Sequence, residues 1–103
     1  MAKREILYQR QLRRPLDDAA KQAIESEFLR RRDEIPIATE FRWHAVDPEF
    51  TIKSSWASLI VRFTEETLVV QAELSLAARM LVTDAHRQRV VQFIDSMVND
   101  LGL

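Results

Sequence analysis

The sequence predicts an α+β fold: an antiparallel sheet of four to five strands with two helices packed on one face, in the order β-α-β-β-β-β-α. Two observations carry this expectation. "LIVRFTEETLVVQAELSL", residues 59 to 76, alternates apolar and polar side chains, turns on Thr64-Glu65-Glu66-Thr67, and alternates again, as two paired strands with one buried face do. Two other segments instead repeat their apolar residues every three or four positions, as helices do.

The elements follow in order. Alternation of Ile6 and Tyr8 with Leu7 and Gln9 predicts a first strand from Glu5 to Leu12, ended by Pro15. Asp17 is placed to cap a helix, Asp18 sits favourably at its positive end, and Ala19, Ala20, Ala23, Ile24 and Phe28 form its apolar stripe. That helix should stop near Ile35, because Pro36 cannot continue the hydrogen-bond ladder. Phe41, Trp43 and Ala45 alternate with Glu40, Arg42 and His44 in a second strand, which Asp47-Pro48 turns into a third carrying Phe50 and Ile52. In the hairpin, Leu59, Val61 and Phe63 should share a face with Leu68, Val70, Ala72 and Leu74. Thr83 can cap a final helix with the stripe Val90, Val91, Ile94, Met97, Val98 and Leu101, closed by Gly102. The other sheet face would carry Arg42, His44, Thr51, Lys53, Ser58, Arg62, Gln71 and Glu73, interrupted by Ile60 and Val69, and be largely wetted.

A length of 103 residues suits one domain, 1–103, with a two-layer core. Hydrophobic residues at 47% and charged residues at 30% are ordinary for a globular chain. The absence of cysteine removes disulfides, thiolate metal sites and cysteine nucleophiles, and fits a reducing compartment, so the cytoplasm is the expected location. Neither a signal-peptide core nor a run of about 18 apolar residues is visible, so no membrane span is expected.

The one glycine, Gly102, rules out a phosphate-cradling loop, a dinucleotide fingerprint and a nucleophile elbow. His44 and His86, the two histidines, lack the i, i+4 spacing that holds zinc, so no metal, cofactor or catalytic residue is predicted. A net charge of −1 argues against nucleic acid. So does the parity of Phe41, Trp43, Phe50 and Phe63, which puts them on the helix-covered face instead of on a base-stacking surface. The basic clusters, Lys3 to Arg14 and Arg30-Arg31-Arg32, are read as solvated surfaces.

What stands out is "LSLAARMLV", residues 74 to 82, with more apolar residues than a connection needs. Trp56, Leu76, Met80, Leu81 and Val82 form the candidate association surface, the alternative being a lid that seals the core. The expected function is a non-enzymatic association module, as a dimer with itself or bound to a partner protein. The second reading is a small carrier that encloses an apolar ligand between sheet and helices, which a real cavity would favour and a close-packed core would not.

The segments "FRWHAVDPEFTIKSS" and "VRFTEETLVVQAELS", followed by a closing amphipathic helix, resemble the polyhydroxyalkanoic acid system (granule-region) family of small bacterial proteins. The likeness runs over most of the chain from about Tyr8, including the approach from Arg13 to Leu16. It implies an accessory protein associated with polyester storage or its gene cluster, and it implies no known catalytic residues; a hydrophobic granule surface then joins a partner protein as an expected contact of the association module.

Overall fold

The structure, a computed structural model, describes residues 3–34, 39–54, 57–75, 78, 80 and 82–103. Five strands, β1 (Lys3–Gln11), β2 (Glu40–Trp43), β3 (Glu49–Lys53), β4 (Ala57–Phe63) and β5 (Thr67–Leu74), form one antiparallel sheet in the order β1-β5-β4-β3-β2. Helices α1 (Asp18–Arg31) and α2 (Asp84–Asp100) lie on one face, and a 3-10 turn, Arg32–Glu34, follows α1. The five-stranded antiparallel sheet and the two helices are those the sequence predicts. β1 and β2 end at opposite edges, so the chain through α1 crosses the sheet, while β2 to β5 pair with their sequence neighbours.

Register places the core. Phe63 lies opposite Leu68, Val61 opposite Val70, and Leu59 opposite Ala72, so the inward parity of the hairpin is continuous. Val61, Leu68 and Val70 are fully buried. Phe50 anchors an aromatic cluster at one end of this face, with ring centroids 4.8 Å from Phe41, 5.2 Å from Trp43 and 6.0 Å from Phe63. From α1, Phe28 closes on Phe41 at 5.1 Å and on Phe93 of α2 at 6.3 Å. These aromatics are core, as their parity predicts.

The helix ends are set by local chemistry. The Asp17 carboxylate accepts from the Ala20 amide at 2.7 Å. At α2 the Thr83 hydroxyl accepts from the His86 amide at 3.3 Å while His86 Nδ1 accepts from the Thr83 amide at 3.2 Å, a reciprocal capping box. Beyond α2, Gly102 takes φ 72°, its amide donates to Asn99 O at 3.1 Å and the Leu103 amide to Val98 O at 3.0 Å. That Schellman motif buries Leu103 beside Val98.

Three expectations are corrected. The pairing of β1 with β5 shifts between Ile6 and Tyr8, so those two residues do not share a face. Tyr8 turns to α2, Leu7 joins the packing around Ala72 and Leu74, and Ile6 is left 64% exposed. β2 ends at Trp43 instead of reaching Ala45, because His44 Nδ1 accepts from the amides of Val46 at 3.1 Å and Asp47 at 2.8 Å and curls the chain into the turn.

The arginines are also not all solvated. Arg31 is buried, donating to Glu27 at 2.6 Å, to Ser96 Oγ at 3.2 Å and to Asp100, and so fastens α1 to α2. Hydrogen bonds from Arg30 and Arg31 hold the Glu27 carboxyl down at about 2, against an ordinary 4.5, so the cluster is ionised throughout the neutral range. Arg10 bonds Asp95 at 2.6 Å and Asn99 at 3.0 Å. The Tyr8 hydroxyl also donates to Asp95, and this bond, ahead of that from Arg10, keeps the Asp95 carboxyl below its usual range despite partial desolvation. These bonds dock α2 on the β1 edge. The bare sheet face carries Arg4–Glu73 and Arg62–Glu49 ion pairs, and Ile60 of the central strand, on the same face, is buried.

Candidate functional site

The inward face of the sheet changes side-chain size along its length. At the end of Phe41, Phe50 and Phe63 large rings fill the space under the helices. Toward the far ends of β4 and β5 the same parity carries Ala57 and Ala72, with Ser54 just beyond β3. Short side chains there do not reach the N-terminal turns of α2. The result is a half-open cleft of about 610 Å³ between sheet and helix, some twenty times the roughly 30 Å³ of one water in the liquid. Typical small-molecule sites span about 300–1,000 Å³.

Its floor is Ile52, Leu59, Ala72 and Leu74, and its roof is Val90 and Phe93 of α2, with Leu7 and Val82 at the β1 side. The walls are therefore predominantly apolar. The bulge in β1 contributes directly, because it turns Leu7 inward. At the β1 side the cleft is closed by an ion pair, Arg87 Nε to Glu5 at 2.7 Å, and the Arg87 guanidinium also donates to Val82 O at 3.2 Å. The hydrogen bond to Glu5 raises the Arg87 guanidinium further above its already high ordinary range, so this closure is a fixed charge pair.

The other side is chemically different. His86 and Arg89 stand at the rim, both exposed. With Nδ1 committed as acceptor in the capping box, a neutral His86 carries its proton on Nε2 and has a donor to offer. Thr39, just before β2, also lines the cleft, and its buried Oγ1 has no hydrogen-bond partner among the described residues. A buried hydroxyl without a partner costs about 1–3 kcal/mol. Groups of this kind are rare enough in folded proteins to call for a reason.

The candidate association surface is divided. Met80 is 85% exposed, whereas Val82 is half-buried, packs against Ala72, Leu74 and Ala78, and lines the cleft. Trp56, Leu76 and Leu81 lie outside the described residues. Leu74, the first residue of the apolar segment, is cleft floor. Sequence reasoning missed Leu7, Ala72, Val90, Thr39 and Arg89 as site residues. The available signal was the fall in size along one parity, from Phe50 and Phe63 to Ala57 and Ala72.

Among the described residues, no group of three or more His, Asp or Glu side chains is arranged to hold a metal ion, and no helix is long and apolar enough to cross a membrane. No family model, no curated protein and no solved structure matches the chain.

Proposed function

We propose that this protein is a non-enzymatic, cytoplasmic carrier that binds the chain of an apolar molecule in the cleft between α2 and the sheet. The observation that carries the reading is the cleft itself, about 610 Å³ bounded by Leu7, Ile52, Leu59, Ala72, Leu74 and Val90. Small-molecule sites are concave, mostly apolar clefts of about 300–1,000 Å³, so a half-open space of this size against apolar walls is best explained as room for a ligand. Burying eight to ten methylenes at about 0.8 kcal/mol each would contribute roughly 6–8 kcal/mol before ordering costs. Affinities from micromolar to millimolar follow. The likeness to the granule-region family supports the same setting, in which acyl chains and polyester surfaces are the apolar bodies at hand.

The test is a titration with the neutral fluorophore N-phenyl-1-naphthylamine. The full chain should bind it saturably, near one per chain. Ala72→Phe from the floor and Val90→Phe from the roof should each weaken binding about ten-fold or more, with melting temperatures unchanged or raised, because each ring occupies existing space. Wild-type protein that gives no saturable signal, or fillers that bind like wild type, would refute the proposal.

A second reading, association through an apolar surface with a second copy or a polyester granule, is favoured by the 85% exposure of Met80. Met80→Lys should change stability by no more than about 0.5 kcal/mol. Under this reading it should nevertheless abolish self-association in sedimentation and binding to polyhydroxybutyrate particles. Retention of both would remove Met80 from the functional account.

A further inference from the structure

We infer that the ligand of the cleft is an amphiphile with an anionic head group, a carboxylate on an acyl chain, whose head lies between Arg89, His86 and Thr39. The inference rests on the cleft-binding proposal and specifies which end of the ligand faces which wall. The two sides of α2 differ. Asp95 and Asn99 face β1, where Tyr8 and Arg10 bond them, and Arg87 on the same flank is paired with Glu5. Arg89 lies seven residues before Ser96, two helical turns, and so points to the side where Arg31 of α1 reaches Ser96. Thr39 belongs to that side too, since its carbonyl accepts from Arg32 at the end of α1 at 2.7 Å.

Three polar groups with unused hydrogen-bonding capacity thus gather on one side of an apolar cleft. Arg89 makes no hydrogen bond or ion pair among the described residues, unlike Arg87, Arg31 and Arg10. His86 offers Nε2–H, and Thr39 offers a buried hydroxyl that no group among the described residues satisfies. All three can donate, and a carboxylate accepts with both oxygens. An ammonium head would face Arg89 with like charge and find no free carboxylate, because Glu5, the acidic residue of the lining, is held by Arg87. The tail then runs over Leu59, Ala72 and Leu74 toward Leu7.

Calorimetric titration of the full chain with decanoate and with decan-1-ol tests this. Decanoate should bind about ten-fold tighter than the alcohol. Arg89→Glu should remove that preference by weakening decanoate about ten-fold with melting unchanged, since Arg89 is exposed and unpaired among the described residues. Arg13→Glu, the same charge change at an exposed arginine outside the cleft, should leave decanoate binding as it was. Thr39→Val should weaken decanoate several-fold without lowering the melting temperature, because it deletes an unsatisfied hydroxyl. Equal binding of acid and alcohol by wild type overturns the head-group assignment and leaves cleft binding intact, whereas no binding of either overturns both. A loss at Arg13→Glu equal to that at Arg89→Glu, or unchanged affinity in Thr39→Val, also overturns the assignment.

Discussion

Val70→Asp should abolish the cooperative fold or shift its urea midpoint drastically, whereas Val69→Asp, one residue away, should cost little. Val70 is fully buried on β5, opposite Val61 and Tyr8 and beneath the helices. A carboxyl there has no cation or hydrogen-bond partner within the apolar cluster, and burying it costs several kcal/mol even when the site drives it to the neutral, protonated form. Domains of this size have about 5–15 kcal/mol in total. Val69 has the opposite parity, lies across from Arg62 on the bare face, and is only half-buried. Its replacement by Asp sets a partly solvated negative charge beside Arg62, which already pairs with Glu49, and is worth no more than about 1 kcal/mol either way. Comparable midpoints for the two variants would contradict the assignment of faces.

Phe50→Ala should destabilise by about 3–5 kcal/mol, the cost of emptying a buried aromatic site. Phe50 is 1% exposed and touches three rings, Phe41, Trp43 and Phe63, so its removal also forfeits aromatic pairing, about 0.5–1.5 kcal/mol per pair beyond area. Phe50→Leu keeps most of the volume and should cost clearly less. Denaturation followed by near-ultraviolet circular dichroism reads both the stability and the loss of fixed ring packing. A cost below about 1 kcal/mol for the alanine variant would show that the ring cluster does not anchor this end of the core.

The pair of predictions rests on the part of the fold that was most legible. Alternation through Leu59, Val61 and Phe63 and through Leu68, Val70 and Ala72 leaves one register that buries both sets, and a one-residue slip would expose them. Asp17, Thr83 and Gly102 mark helix ends because capping chemistry acts within a few residues. What was not legible depends on partners far away in the chain. The bulge that separates Ile6 from Tyr8 is a property of pairing with β5, and nothing within "EILYQ" announces it. Arg31 reads as one of three surface arginines until α2 brings Ser96 and Asp100 to it. The cleft is harder still, because it is set by what Ala57 and Ala72 fail to fill once α2 lies over them. Within the apolar segment from Leu74 to Val82, Val82 belongs to that cleft and Met80 points to solvent. An apolar excess in a connecting segment signals burial or contact, and it does not say which residue does which.

The most direct test of the account is a two-dimensional methyl NMR titration of the full chain with decan-1-ol, which reports where an apolar chain binds without relying on head-group charge. The account predicts saturable shifts concentrated on the methyl groups of Leu7, Ile52, Leu59, Ala72, Leu74 and Val90, with Met80, Ile6 and Val46 unmoved. Absence of saturable shifts, or shifts confined to Met80 and the other exposed apolar side chains, would contradict it.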